Sequence, residues 1–146
     1  MIRTRALVLA ILLSSAAWAG EPAKYTPPTH EAFNRTATYP YVASEERAAK
    51  IRAGTPALRR CMPETEIREL LGAPDFGHVS SLDTETGPVP YVQVWHYLLA
   101  LTDSGFKHEG ARVVVWLHLD GKLRAVSVYN MAGLSDIPGL HNEKCS

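Results

Sequence analysis

The order of periodicities along the chain predicts an α+β fold, with two short N-terminal helices packed on one face of a three- to four-stranded antiparallel meander. Three observations predict it. Helical spacing and helix punctuation are confined to residues 44–72. From Phe76 onward the apolar residues fall in aromatic and β-branched runs of strand length. Asp120-Gly121 joins two of those runs, and both residues tolerate the positive φ that a tight hairpin needs.

The first element is an address rather than part of the fold. Arg3 and Arg5 precede the apolar run from Ala6 to Leu13, and Ala17-Trp18-Ala19 has the small-x-small form of a cleavage site. Residues 1–19 therefore read as a secretory signal peptide cleaved after Ala19, too short to be a membrane span. No cysteine follows that site, so no lipid anchor is expected, and no later run is long and apolar enough to span a bilayer. The chain carries 15 basic and 15 acidic residues; loss of Arg3 and Arg5 leaves 13 against 15, a net charge of −2. That balance argues against a nucleic acid or a polybasic membrane contact.

Residues 20–43 are rich in Pro, Thr and Tyr and show neither helical nor alternating period, so an extended or disordered N-terminal arm is expected. Tyr25, Phe33, Tyr39 and Tyr41 gain little in water, which favours a strap over the core. Residues 44–146 form the α+β domain. Ser44 caps a first helix to about Ala53, with Glu45 and Glu46 in its first turn and Gly54-Thr55-Pro56 as its stop. The second helix has Pro63 at its first position, Ile67, Leu70 and Leu71 as one stripe, and Gly72 with Pro74 as its stop.

Phe76 to Leu82 is a weak strand, Asp83 to Pro88 a loop, and Tyr91 to Leu101 a strong strand. Residues 112–119 and 122–129 complete the meander. The even pair Cys61 and Cys145, in an exported chain, reads as a disulfide. Closing so long a loop would contribute about 4 to 5 kcal/mol on the chain-entropy account.

Strand parity supplies the candidate site. Val113, Val115, Leu117 and Leu119 form a core-facing set, opposed by Arg112, Val114, Trp116 and His118. On the preceding strand Tyr91, Gln93, Trp95, Tyr97 and Leu99 oppose Val92, Val94, His96, Leu98 and Ala100. If the aromatic sets align, Trp95, Tyr97, Arg112, Trp116 and His118 make a partner-binding patch on an open face, in residue types enriched at binding hot spots. The alternative is that these aromatics pack beneath the N-terminal strap or the C-terminal tail.

Chemistry finds less support. His96 and His118 fall on opposite faces by this parity, and no H-x-H, H-x-x-x-H or C-x-x-C spacing exists, so no metal is expected. Neither Cys61 nor Ser127 has a local signature that pairs it with a histidine. Glu64, Glu66 and Glu69 read as a wet helix face, and no Gly-rich phosphate loop follows a strand. No catalytic residue and no cofactor are expected, and the chain is not read as an enzyme.

The stretch Met62-Pro63-Glu64-Thr65-Glu66-Ile67-Arg68-Glu69-Leu70-Leu71-Gly72-Ala73-Pro74-Asp75 resembles the G-M-T-x-x-E-V-x-x-L-L-G-x-P segment of the SmpA/OmlA family. Trp95-His96-Tyr97 resembles its W-x-Y strand, and Asp120-Gly121-Lys122-Leu123-Arg124-Ala125-Val126 its closing D-G-x-V-x-x-V hairpin. Cys61 stands where the family usually has Gly. The family includes the small lipoprotein of the outer-membrane β-barrel assembly complex, and its fold is like that of the β-lactamase inhibitor proteins. The resemblance implies protein binding in the envelope without catalysis. The leading expectation is thus an exported, non-catalytic protein-binding module of the bacterial cell envelope, in the periplasm or secreted. An outer-membrane assembly or envelope-maintenance accessory is one form of it, whose partner is another envelope or secreted protein. The alternatives are an inhibitor or immunity-type protein that blocks an enzyme and, third, a small periplasmic enzyme.

Overall fold

A computed structural model describes residues 24–104, 110–139 and 145. The expected leader and its cleavage site lie outside the described residues. The chain is α+β, with a few short helices and a five-stranded sheet whose pairings are all antiparallel.

The first two helices begin where a side chain satisfies a free N–H group. Helix α1, His30–Asn34, starts at Thr29, whose hydroxyl accepts from the Ala32 amide at 3.1 Å. Helix α2, Glu45–Gly54, starts at Ser44, which accepts from the Arg47 amide, and the Thr55 hydroxyl closes it on the Ile51 carbonyl at 2.6 Å. A 3-10 turn, Thr55–Ala57, follows. Helix α3 runs Glu64–Leu71; Pro63 is extended at ψ 153° and stands just outside, one position earlier than the sequence suggested. Gly72, at φ 83°, ends α3 in a conformation that a Cβ would strain.

The sheet is built around one long strand. Strand β1 is Tyr41–Val42, β2 Phe76–Thr84, β3 Gly87–Leu101, β4 Ala111–Leu117 and β5 Leu123–Tyr129. β3 takes β2 and then β1 along one side and β4 along the other; β5 pairs with β4. The β4–β5 turn is closed by the His118 amide on the Lys122 carbonyl, and Asp120 Oδ1 accepts from the Lys122 amide. Beyond β5, Val126 and Ile137 exchange both backbone bonds at 2.9 Å, so the chain covers that edge with its own tail.

Register decides what each face carries. Trp95 stands opposite Val115, and Tyr97 opposite Val113. These four, with Leu99, Leu117 and Val126, form one core with Ile51, Leu58, Met62, Ile67 and Leu71 from the helical segment. The other face carries Phe76, Val94, His96, Leu98, Arg112, Val114 and Trp116. That face is not open along its length. Phe33, Tyr39 and Tyr41 pack on Phe76, Leu98 and Leu101, while Val92, Val94 and Val114 form a further buried cluster against Trp116 and Tyr129.

Of the N-terminal arm, expected to be extended or disordered, the structure describes residues 24–43. Residues 24–29 are extended and cross the helix-side face. The Tyr25 amide donates to Glu64 Oε1 at 3.0 Å, its ring meets Trp95 edge-on, and the Arg68 guanidinium lies 4.4 Å over it. The Gly77 amide donates to the Pro28 carbonyl at 2.9 Å, and a Cβ on Gly77 would come within 2.5 Å of the Pro27 ring. Residues 30–34 are then helical, because a capped turn can be pinned through Phe33 onto Phe76, 5.6 Å away between rings. Arg47 of α2 reaches Asp75 Oδ2 at 2.8 Å, and the same oxygen accepts from the Leu98 amide, which ties helix, loop and β3 together. The Sγ atoms of Cys61 and Cys145 stand 2.04 Å apart, the distance of a disulfide. No helix among the described residues is long and apolar enough to cross a membrane.

Candidate functional site

β3 outruns β4. The last β3–β4 pair is Gln93 with Leu117, whereas β2 and β3 stay paired to Thr84 and Gly87. Residues 81–91 therefore project as a two-stranded ribbon. The sequence reading made Asp83 to Pro88 a loop; the structure pairs Asp83 with Pro88 and leaves a two-residue turn, where the Thr84 hydroxyl donates to the Gly87 carbonyl and Gly87 has φ 112°.

The ribbon gathers exposed apolar side chains. Leu82 (51%), Val89 (49%) and Tyr91 (37%) are exposed there and Val79 (54%) just below its base; Val42 and Leu119 are the other large apolar side chains exposed among the described residues. A β-bulge shapes the base. Ser80 pairs with Val92 but Ser81 with Pro90, so Tyr91 is the inserted residue, and such an insertion re-aims a side chain. Tyr91 meets β5, where the Arg124 guanidinium lies 4.4 Å over its ring and donates to its hydroxyl. Trp116 is half-buried beside them and donates from Nε1 to Ser127 Oγ at 3.2 Å.

Two clefts flank the ribbon. One, of about 430 Å³, is lined by Ser80, Leu82, Tyr91, Trp116, Arg124 and Ser127. The other, of about 620 Å³, lies between residues 24–29 and the ribbon and is lined by Tyr25, Pro27, Val79, Ser81, Gln93 and Trp95. Aromatic and aliphatic walls with a few polar groups and a guanidinium suit the docking of a protein segment.

The five residues expected to form one patch are not brought together. Trp95 and Tyr97 are fully buried beneath the helices, while Arg112 and Trp116 lie on the opposite face. The aligned set fails by one residue, since Trp116 stands opposite Val94 rather than Trp95. The physical reason is the floor that the helices need: Ile67 and Leu71 pack on the widest side chains of β3. Arg112 is 3% exposed, with its guanidinium 4.4 Å from the Tyr129 ring centre. His118 lies past β4, in the turn. Of the five, Trp95 lines the larger ribbon cleft and Trp116 the smaller, on opposite sides of the sheet. Leu82, Val89, Tyr91 and Arg124 were missed as site residues. The available signal was Pro88 and Pro90 alternating with apolar residues, a pattern that sheets confine to edges.

The histidines also sit differently. His96 shares the face of Arg112 and Trp116, and its ring stacks on Phe76 at 4.5 Å and faces His78 at 5.5 Å. Burial pushes its pKa down to about 3, helped by His78, Arg112 and His30. Burial, with His30, also lowers His78. Burial raises the Tyr97 phenol well above its ordinary value. No group of three or more His, Cys, Asp or Glu arranged to hold a metal occurs among the described residues.

Comparison of the chain with protein-family models, with curated proteins and with solved structures found no match.

Proposed function

We propose that this chain is an exported, non-catalytic protein-binding module of the cell envelope that meets its partner with the β2–β3 ribbon. The carrying observation is the concentration of exposed Leu82, Val89 and Tyr91 on one projecting element, with Val79 exposed below its base and a cleft on either side. Clustered apolar exposure of this kind marks interaction surfaces in soluble proteins. Export is supported by the leader-like residues 1–19 and by a cysteine pair at bonding distance, which suits an oxidising compartment. The SmpA/OmlA resemblance adds envelope assembly or maintenance as the setting. A second reading, an inhibitor that plugs an enzyme, is favoured by the narrow two-residue tip, which fits a concave site.

Affinity capture with the chain from Gly20 onward, out of an envelope extract, tests the proposal. Barrel-assembly or cell-wall proteins on the wild-type chain support the accessory, and a single hydrolase supports the inhibitor. The double variant Leu82→Ser, Tyr91→Ala should lose the captured protein while melting as wild type does. Equal capture by this variant would remove the ribbon from the interface.

A further inference from the structure

The ribbon has two backbone edges, and they are treated differently. The Gly77 amide points outward, because it donates to Pro28 rather than to β3. N–H and C=O alternate along a strand, and the bulge inserts its extra residue in β3, so Val79, Ser81 and Asp83 also direct their backbone groups outward. None of those three has a backbone partner across that edge among the described residues. Pro90 and Pro88, the cross-strand partners of Ser81 and Asp83, turn their nitrogens to the opposite edge, which β4 does not reach. Proline there denies a donor to any incoming strand. One edge of the ribbon is thus closed to strand addition, and the other keeps its donors and acceptors.

The open edge borders the larger cleft, which Gly77, Val79 and Ser81 line together with Pro27, Pro90 and Trp95. A strand laid there places alternate side chains into an apolar recess. At the tip, Asp83 and Glu85 are both exposed, so the end of the added strand beside them is electrostatically suited to a cation. A second copy fits poorly: antiparallel pairing of β2 with itself about Ser81 sets each Asp83 against the partner copy's valine at position 79, which desolvates a carboxylate without pairing it.

Resting on the reading of the ribbon as a partner surface, we infer that the partner contributes an extended segment that adds antiparallel to the outer edge of β2, with a basic residue opposite Asp83 and apolar residues opposite Ser81 and Val79. Recognition then combines backbone bonds from Val79, Ser81 and Asp83 with burial in the cleft beside Trp95.

The probe is the blocked pentapeptide acetyl-Lys-Thr-Val-Thr-Val-amide, added to the disulfide-intact chain from Gly20 and followed by amide hydrogen exchange and NMR titration. The expected result is new protection at Val79, Ser81 and Asp83. Ser81→Pro removes an outward donor but no bond to β3, and should weaken the peptide about tenfold at unchanged melting temperature. A peptide N-methylated at both valines should weaken similarly, and this comparison leaves the protein unaltered should Ser81→Pro fail to fold. Replacing the lysine by glutamate should also weaken binding. Protection elsewhere, full affinity of the methylated peptide, or protection of these amides before any peptide is added would overturn strand addition. If capture from extract depends on Leu82 and Tyr91 yet Ser81→Pro leaves it unchanged, the partner surface stands and the strand-addition mode falls.

Discussion

Trp95 and Tyr97 show how residue type and residue role separate. Both are hot-spot amino acids, yet both are fully buried and hold up the helices. The Tyr97 hydroxyl is buried with no hydrogen-bond partner among the described residues. Removing a polar atom that is buried and unpaired relieves its desolvation penalty, so Tyr97→Phe should stabilise the fold by about 1 kcal/mol in chemical denaturation. His96 gives a second residue-scale expectation. Its pKa in the fold, about 3, lies below its ordinary 6.5, so the unfolded state takes the proton first. The stability it contributes is fully present above 6.5 and is lost as the pH falls from there towards 3. The slope is at most about 1.4 kcal/mol per pH unit. Denaturation of wild type and His96→Gln across this range should show the slope reduced in the variant. Equal slopes would mean that His96 carries a proton in the fold.

At the scale of elements, what was legible followed from local physics. α3 could be read because its start, its stripe and its glycine stop lie within the ten residues 63–72. The β4–β5 hairpin could be read because Asp120-Gly121 specifies its own turn. α1 could not: five residues make a poor helix alone, and this one depends on Phe33 meeting Phe76, 43 positions away. The candidate site was hidden by register. A one-residue slip moves every side chain of a strand to the other face, and the bulge at Tyr91 resets parity within β3 itself. The ribbon's exposed residues should therefore matter little to stability. Leu82→Ser with Val89→Ser should change unfolding free energy by no more than about 0.5 kcal/mol per site. A loss several times larger would make the ribbon part of the core rather than a surface.

For the whole molecule, the cysteine pair ties position 145 to the base of α3 across a sequence separation of 84. Replacing both cysteines by serine should lower stability by about 4 kcal/mol, less whatever structure the unfolded chain retains. Melting curves of the two forms check this, and indistinguishable curves would deny the bond any structural weight. The tail and the strap act at the same scale. Ile137 closes the outer edge of β5 at Val126, and Pro28 takes the first outward donor of β2, so the chain covers those two stretches of edge with its own tail and strap. The proposed function requires that this ribbon touch the partner. Site-specific photo-cross-linking tests it most directly, with the photoreactive residue placed at Leu82 in one chain and at Val42, 72% exposed and away from the ribbon, in another. A cross-link to the captured protein is expected from position 82 and none from position 42. Cross-linking from position 42 alone would contradict it.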